Sequence, residues 1–215
     1  MQEQSGTDLL LEQIWANCWM IAFNEWHIFE QGFDKETCDK IINLGDDGYD
    51  PGQVGGRSDG MVDKDTRISD VKWLGNCRWV VDSITPYIES ANINAEWRYD
   101  VGGLGRLQLT RYKEGGFYDW HMDGLGDHTA GEKYGDDPNK YVRKLSATVL
   151  LNDDYEGGEF QFASYDKTKC IISTPEFNKV GSIVVFPSFM HHRVAPVTKG
   201  TRYSLVGWFL GPPFK

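Results

Sequence analysis

Three side chains of metal-binding types stand out in the second half of the sequence. His121 and Asp123 are separated by one residue, so an extended backbone directs both to the same face. His192 follows a predicted strand and approaches from a distant part of the chain. Two neutral imidazoles and one carboxylate leave three adjacent positions free on an octahedral ion, which suits non-haem iron(II). We therefore predict a metal site at His121, Asp123 and His192.

A buried cation with a separate task is predicted downstream of these ligands. Arg202, Ser204 and Trp208 alternate onto one face of a predicted strand, and the opposite face is also mostly apolar. An arginine buried in such a strand needs an anionic partner. Because a planar guanidinium donates two parallel hydrogen bonds to a carboxylate, Arg202 suits the far end of a 2-oxo dicarboxylate. Such an acid would fill two of the free metal positions and leave the third for dioxygen.

The remaining histidines are weaker candidates. His191 is adjacent to His192, but the spacing to Arg202 and the following Val-x-Pro-Val favour His192 as the third ligand. His27 lies among apolar residues and is expected to be a structural histidine. His128 lies in a polar loop and is expected to be a solvated side chain.

Two helical patterns precede a β-rich half of the chain. An N-cap aspartate, early acids and a following glycine predict a helix over 34–44, and apolar residues at helical spacing predict a second over 79–91. The aperiodic segment 45–70 is predicted to be a long surface loop with at most one short strand. Short apolar runs separated by Gly, Asp and Pro then predict strands at 106–112, 144–151, 159–162, 182–186 and 202–210.

This order of elements predicts a β-rich α+β fold. Many short strands with turn residues between them are typical of a double-sheet jelly roll, so we expect a double-stranded β-helix with flanking N-terminal helices. The length fits a single domain, 1–215. Within it we expect a supporting N-terminal segment over 1–104 and a catalytic jelly-roll core over 105–212.

The composition limits the partners and location of the protein. A formal net charge of −10 argues against nucleic acid and anionic membrane surfaces as partners. The apolar stretch 9–23 is interrupted by polar residues and lacks a preceding basic segment, which argues against a membrane span or a signal peptide. Four scattered cysteines indicate neither a thiolate metal site nor a disulfide framework. We therefore expect a soluble, cytoplasmic protein, with its oligomeric state left open.

Four motifs carry a resemblance to a known family. They are RYKEGGFYDWHMD at 111–123, LSATVLLN at 145–152, GGE at 157–159 and HRVAPVTKGTR at 192–202. Together they resemble the iron(II)/2-oxoglutarate-dependent oxygenases of the prolyl 4-hydroxylase family, of both the hypoxia and the collagen type. The segment 67–74 also resembles the loop or strand that precedes the catalytic core in related hydroxylases.

The resemblance implies roles for further residues. Tyr112 is expected to line the 2-oxoglutarate site and Tyr118 the mouth through which the substrate enters. Ser204 is expected to assist Arg202 at the distal carboxylate, and Trp208 matches an aromatic residue near the pocket. Packing in an aromatic core explains the two tyrosines equally well.

One position departs from the family pattern. Hypoxia-type prolyl hydroxylases have a tyrosine that helps to bind the distal carboxylate, where this sequence has Leu150. A leucine side chain donates no hydrogen bond. The second partner of the carboxylate is therefore open among Tyr112, Thr148 and Ser204.

The implied activity is hydroxylation of a C–H bond, at C4 of a prolyl residue in a peptide or protein. Its cofactors are iron(II), 2-oxoglutarate and dioxygen, with ascorbate as the reductant. Hydroxylation of free amino acids is one alternative, and a non-oxidative, metal-dependent cupin-like enzyme in which Arg202 binds a substrate anion is another. A ligand-binding jelly roll without chemistry is a third, although the complete ligand set argues against it. The identity of the substrate, and any closure of loops 45–70 and 124–142 over the site, stay open.

Overall fold

The described part of the chain contains two helices, and both precede the candidate site residues in the sequence. The computed structural model describes residues 24–54, 62–75, 77–124, 141–166 and 169–214. Helix α1 spans Lys35–Asn43 and begins after Asp34, whose side chain accepts a hydrogen bond from the Thr37 backbone N–H at 2.7 Å. Helix α2 spans Arg78–Asn94 and contains Pro86. Both predicted helices are confirmed, and α2 extends further at each end than its apolar pattern.

Fifteen strands form the other regular structure in the described residues. They are β1 His27–Phe29, β2 Asp50–Pro51, β3 Arg67–Ile68, β4 Asp70–Leu74, β5 Gly103–Leu104, β6 Leu107–Tyr112, β7 Phe117–His121, β8 Val142–Leu150, β9 Tyr155–Gly157, β10 Phe160–Asp166, β11 Lys169–Ser173, β12 Ile183–Pro187, β13 His191–Val194, β14 Val197–Gly200 and β15 Arg202–Gly211. The five predicted strands correspond to β6, β8, β10, β12 and β15.

The strands form two main sheets and one short pair. The larger sheet has eight strands in the order β1-β12-β8-β15-β6-β4-β2, with β5 paired to β15. The smaller sheet has five strands in the order β11-β10-β13-β7-β3, and β14 pairs with β9. Apolar side chains from the two main sheets pack together between them. This arrangement confirms the predicted double-stranded β-helix with flanking N-terminal helices.

The larger sheet separates two hydrophobic cores. Ile84 and Ile88 of α2 belong to a core that covers one face of the sheet and includes Leu205 of β15. On the other face, Leu150 of the larger sheet and Phe162 of the smaller sheet belong to a second core. The candidate site lies on this second side, because its residues share strand faces with the second core.

Strand β15 shows how this division places polar side chains in the interior. Leu205 and Phe209 belong to the core that faces the helices, so Arg202, Ser204 and Trp208 alternate toward the space between the sheets. All five side chains are buried. The predicted burial of this strand on both faces is confirmed.

The sequence did not predict all the strands that position candidate site residues. Strands β7 and β13 are short, and β13 begins with two histidines, so neither shows the apolar alternation that marks a half-buried strand. The segment 45–70, which was predicted to be a loop, contains the two-residue strands β2 and β3. Strand β4 begins at Asp70, where this segment ends.

Some predictions concern residues outside the described ranges. These are the apolar stretch 9–23, Cys18, His128 and most of the loop 124–142. Within the described ranges, no helix has the length and apolarity needed to cross a membrane. His27 is half-buried in β1, where its ring lies 4.7 Å from that of Phe29, and burial lowers its pKa.

The turn before β12 packs closely against the backbone that precedes α1, and a substitution can test this packing. Gly181 has a φ of +80°, and a Cβ at this position would overlap the carbonyl oxygen of Phe33. Gly181→Ala is expected to lower the free energy of unfolding by about 2 kcal/mol or more, because strained backbone and steric overlap act together. Urea denaturation measures this loss. Gly75→Ala is the control, since a Cβ there meets nothing within 4 Å, and equal losses in both variants would contradict the packing described.

Candidate active site

The antiparallel pairing of β7 with β13 brings the three predicted metal ligands together. His121 at the end of β7 lies opposite His192 of β13, and Asp123 follows β7 by two residues. The Nε2 atom of His121 lies 3.8 Å from one carboxylate oxygen of Asp123, and that of His192 lies 3.6 Å from the other. All three ligand atoms lie within 4.8 Å of one another. A single ion can therefore contact all three.

Hydrogen bonds fix the tautomer of both imidazoles. The Nδ1–H of His121 donates to the Asp119 carbonyl at 2.7 Å, and the Nδ1–H of His192 donates to the Met190 carbonyl at 2.9 Å. In each case the acceptor lies two residues earlier in the chain. This arrangement leaves both Nε2 lone pairs available to a metal. Burial, with the neighbouring His192, lowers the pKa of His121 to about 3, so its ring is neutral at physiological pH.

The Asp123 carboxylate is held by the segment between β12 and β13. The backbone N–H of Asp123 donates to the Ser188 carbonyl at 2.9 Å, and the Ser188 and Ser146 hydroxyls lie 3.0 Å apart. Burial alone would raise the pKa of the Asp123 carboxyl, but the two imidazoles and a hydrogen bond from Ser146 lower it below its usual value. The carboxylate is therefore ionised and directed at the position that the imidazoles share.

Aromatic rings pack around the imidazole of His192. Its ring centroid lies 4.7 Å from that of Phe186, 5.5 Å from that of Phe160 and 6.3 Å from that of Phe162. These rings exclude water from one side of the cluster and lower the local dielectric constant. Interactions among the charged groups are correspondingly stronger than in solvent.

Arg202 is buried in the same interior without an ion-pair partner in the described part of the chain. Its side chain is 1% exposed, and none of its three guanidinium nitrogens has a hydrogen-bond partner there. The guanidinium carbon lies 5.7 Å from the ring of Tyr112, which is opposite Arg202 in the pairing of β15 with β6. A buried guanidinium with unused donors is costly, and an anion in its fork would remove this cost.

The neighbouring row of side chains supplies hydroxyl groups that Leu150 lacks. Ser204 is flanked by Thr110 of β6 on one side and by Leu150 of β8 on the other. Gln108 donates from its side-chain amide to the Thr110 hydroxyl oxygen at 2.7 Å. Because this bond uses Thr110 as an acceptor, its hydroxyl hydrogen is free to donate to a ligand. Thr148 lies one row further from Arg202 than Ser204 does.

Trp208 and Tyr118 border the site at different places. Trp208 is 6% exposed, and the guanidinium carbon of Arg143 lies 4.2 Å from its ring centroid. Arg143 also donates to the Asp123 backbone carbonyl at 3.1 Å, which places Trp208 beside the metal ligands. The Tyr118 ring stacks on His121 with centroids 3.5 Å apart, and burial raises the pKa of Tyr118 to about 12, so it stays protonated.

Sequence reasoning missed several residues that the fold adds to the site. Four of them lie on predicted strands or at their ends: Gln108, Thr110, Arg143 and Ser146. In the sequence alone, each resembles an ordinary polar residue within an apolar run. The detectable signal is the alternation of Gln108 and Thr110 with buried leucines in β6, which places both on the interior face. Their contact with Ser204 depends on which strands are neighbours, and local sequence does not state that order.

The part of the chain that contains this site is similar in sequence to known proteins. Residues 107–210 match the family model described as the 2OG-Fe(II) oxygenase superfamily. The match covers 104 of the 215 residues, and we call this part of the chain the oxygenase region. The matched oxygenase region contains the three clustered ligands and Arg202, and its start lies close to the predicted boundary at 104/105, although the division into segments stays a prediction.

Curated relatives match the oxygenase region over part of their own length. A PKHD-type hydroxylase of Xylella fastidiosa strain M12 is 34% identical over 111 residues, which are 47% of this chain and 42% of that protein. A PKHD-type hydroxylase of Hyphomonas neptunium is 35% identical over 88 residues, covering 40% of this chain and 37% of that protein. The chain thus matches less than half of the length of these relatives.

Solved structures share the fold of the oxygenase at low sequence identity. A prolyl-4-hydroxylase of Pseudomonas putida has a TM-score of 0.62 and 19% identity, with 90% of this chain and 96% of that chain covered. A viral collagen prolyl hydroxylase of Paramecium bursaria Chlorella virus-1, solved with 2OG, has a TM-score of 0.60 and 20% identity, with 87% and 97% covered. A Trichoplax adhaerens prolyl hydroxylase, solved with a hypoxia inducible factor peptide, has a TM-score of 0.60 and 16% identity, with 97% and 94% covered. These similarities support the double-stranded β-helix.

The residues of the oxygenase region fit the two cofactors that the superfamily name implies. Two neutral imidazoles and one carboxylate form the donor set that suits iron(II) with open positions. The guanidinium of Arg202, which has no hydrogen-bond partner among the described residues, is the group that the distal carboxylate of 2-oxoglutarate requires. Both observations come from separate strands of one interior, so the fit does not depend on a single motif.

The choice between the adjacent histidines of β13 can be tested by metal binding. His192→Ala is expected to weaken Mn(II) affinity by more than about 100-fold, the upper range for loss of an outer-shell partner, because a direct ligand is removed. His191→Ala is the matched control, since His191 is the half-buried neighbour on the opposite face of the strand. Calorimetry and electron paramagnetic resonance measure the affinities. Equal losses of Mn(II) affinity in the two variants would contradict the assignment of His192, and not His191, as the metal ligand.

Proposed function

We propose that the protein is an iron(II)- and 2-oxoglutarate-dependent oxygenase that hydroxylates C4 of a prolyl residue in a peptide or protein substrate. The observation that carries this proposal is the presence, in one interior, of a two-histidine, one-carboxylate cluster and a buried arginine whose nitrogens have no partner in the described residues. A structural metal site would not require the arginine. A structural arginine would have an ion-pair partner.

When bound, the cofactors supply the oxidation: 2-oxoglutarate and dioxygen become succinate and carbon dioxide, one oxygen atom enters succinate, and the other enters the substrate C–H bond. The chain supplies positioning. His121, Asp123 and His192 would hold iron(II), with their orientation fixed by backbone carbonyls and by Ser146. Because these partners belong to the chain itself, they would keep the three ligands oriented toward the metal.

Arg202 would receive the distal carboxylate of 2-oxoglutarate. Ser204 and Thr110 lie in the adjacent row and would donate the further hydrogen bonds for which the family uses a tyrosine at the position of Leu150. Tyr112 would line the same pocket, because it is opposite Arg202 in the sheet. Neutralising the buried guanidinium contributes to the affinity for a dicarboxylate over a monocarboxylate.

The substrate end of the site would lie near Tyr118 and Trp208. Tyr118 presents a protonated phenol beside His121, and the Trp208 ring lies against Arg143, which donates to the Asp123 carbonyl. Hydroxylases and prolyl hydroxylases among the similar proteins support a prolyl substrate. Ascorbate as the reductant and a cytoplasmic location stay predictions from the sequence.

Turnover tests the proposal directly. Purified protein with iron(II), ascorbate, 2-oxoglutarate and a panel of prolyl peptides is expected to release succinate, and to add one oxygen atom to a peptide as 4-hydroxyproline. Succinate assay and mass spectrometry measure both products. Succinate without any hydroxylated peptide would contradict the prolyl substrate while retaining the oxygenase. Absence of 2-oxoglutarate binding to the iron(II) protein under anaerobic conditions would contradict the activity itself.

The role of Arg202 is separable from that of the metal ligands. Arg202→Ala is expected to raise the dissociation constant for 2-oxoglutarate by about 100-fold, because charge-assisted hydrogen bonds to a buried carboxylate are lost. Metal affinity should be unchanged. Anaerobic titration of the iron(II) protein, followed by its weak visible charge-transfer absorption, measures the constant. An unchanged constant would assign the arginine to another anion.

Thr110 offers a finer test of the same pocket. Thr110→Val keeps the shape of the side chain and is expected to weaken 2-oxoglutarate binding by about five- to tenfold, the value of one hydrogen bond. Thr110→Ser retains the hydroxyl and is the control. Binding of 2-oxopentanoate, which lacks the distal carboxylate, should be equal in the three proteins. An equal loss for both ligands would show a general packing defect.

A further inference from the structure

A cavity with charged residues in its wall lies at the open edge of the fold, close to Tyr118. Its volume is about 240 Å³, below the range of pockets for drug-sized ligands and suited to one side chain. Strands β3 and β4 and the turn that follows β6 form its walls. The lining includes Gly52, Lys64, Arg67, Ser69, Arg111 and Lys113.

Arg67 is the built part of this cavity, which we call the Arg67 pocket. Its side chain is 6% exposed and is fixed by two bonds, from Nε to the Ser69 hydroxyl at 2.7 Å and from Nη1 to the Gln53 carbonyl at 3.0 Å. Its Nη2 has no hydrogen-bond partner in the described part of the chain. The Tyr118 ring covers the face of the guanidinium at 4.5 Å, but a ring contact leaves the edge N–H groups unused.

The backbone at Gly52 is shaped around this arginine. A Cβ at Gly52 would lie 2.7 Å from the Arg67 Nε and would overlap the Ser69 hydroxyl. Only glycine lets the chain approach the guanidinium so closely. The orientation of Arg67 is therefore determined by its surroundings, and the residue forms part of the cavity wall.

The charge of the Arg67 pocket is opposite to that of the whole protein. Arg111 and Lys113 lie 2.8 Å and 3.2 Å from one carboxylate oxygen of Asp70, so these two cations already share an anion. Lys64 and Arg67 form no ion pair with the described residues, and Glu114 is the other carboxylate on the wall. The pocket thus has four cations and two carboxylates, in a chain whose formal net charge is −10. An anion is the ligand that this balance favours.

Ring contacts connect the Arg67 pocket to the candidate metal site. The Tyr118 ring lies between the Arg67 guanidinium, at 4.5 Å, and the His121 ring, at 3.5 Å. An extended peptide advances roughly 3.3 Å per residue. A substrate whose reacting residue lies at the metal would therefore bring a residue two or three positions away to the pocket.

We propose that the Arg67 pocket binds the carboxylate of an acidic side chain that lies within about three residues of the reacting residue in a peptide substrate. This inference rests on the proposed function. The planar guanidinium donates its free edge to the carboxylate, and Lys64 at the rim adds attraction that salt screens. The substrate class is therefore an acidic peptide or a protein segment of that kind.

Matched peptides test the proposal with the whole protein. Each labelled peptide has one proline in a neutral background and a single glutamate at a position from three residues before to three residues after it, and each partner peptide has glutamine there. Fluorescence anisotropy under anaerobic conditions, with iron(II) and 2-oxoglutarate present, gives the dissociation constants. At one or two positions the glutamate peptide is expected to bind about tenfold more tightly, and less so at high salt.

Substitution of the arginine locates the effect. Arg67→Gln should bring the glutamate-to-glutamine ratio to about one, and Arg67→Glu should reverse it in favour of a lysine peptide. Arg78→Gln is the control, because Arg78 is an exposed arginine of α2 that pairs with Asp82. Lys64→Gln, at an exposed position, should reduce the ratio partly and provides a second variant if the buried substitutions impair folding.

Each result separates the inference from the proposed function. Turnover of prolyl peptides with no preference between glutamate and glutamine at any position would overturn the pocket assignment alone. Inorganic phosphate that binds in an Arg67-dependent manner, without a peptide preference, would assign the pocket to a free anion and would also overturn it. Failure of every peptide to bind would overturn both the inference and the prolyl substrate, whereas 2-oxoglutarate binding would still support the oxygenase.

Discussion

Strands β7 and β13 pair with His121 opposite His192, and the candidate metal site depends on this register. A shift by one residue would place His191 opposite His121 and turn His192 away from the interior, because successive side chains of a strand point to opposite faces. The register is stabilised from within, since Tyr118 and Val194 of the same two strands belong to or pack against the core between the sheets. Correct packing of that core therefore also sets the positions of the ligands.

The interior combines a well-packed apolar core with a polar row that is only partly satisfied. Four polar side chains in this row are buried: Gln108, Thr110, Ser146 and Ser204. Hydrogen bonds join Gln108 to Thr110 and Ser146 to the segment after β12. Arg202 lacks such a partner in the described residues. Unsatisfied buried donors reduce the stability of the free protein, and a ligand that satisfies them binds more tightly for the same reason. Stability and affinity are thus coupled at this arginine.

Much of the fold and site follows from local sequence, for identifiable reasons. The period of apolar residues predicts α1, α2 and the five central strands, and the interval from His192 to Arg202 points to a shared interior. Thr110 was not predicted, because its place in the candidate site depends on β6 being the neighbour of β15. This strand order is a property of the whole sheet. The Arg67 pocket is similar: it requires β3, the edge strand of the smaller sheet, to lie near β4, which is next to the edge strand β2 of the larger sheet. The local sequence predicts which side chains share one face of a strand, whereas the topology of the sheets determines which strands are neighbours.

The hydrogen bonds that orient the imidazoles have a further chemical consequence. Both Nδ1–H groups donate to carbonyls of nearby backbone, so the chain's own hydrogen bonds set the orientation of each imidazole. A rigid cage of two nitrogens and one oxygen discriminates poorly by affinity, because copper, nickel and zinc bind such donors more tightly than iron(II) in the Irving–Williams series. The ion found in a given preparation thus reports the metals to which the chain was exposed. Occupancy by iron must be set by cellular supply, with selectivity exercised by metal delivery and not by the strands themselves.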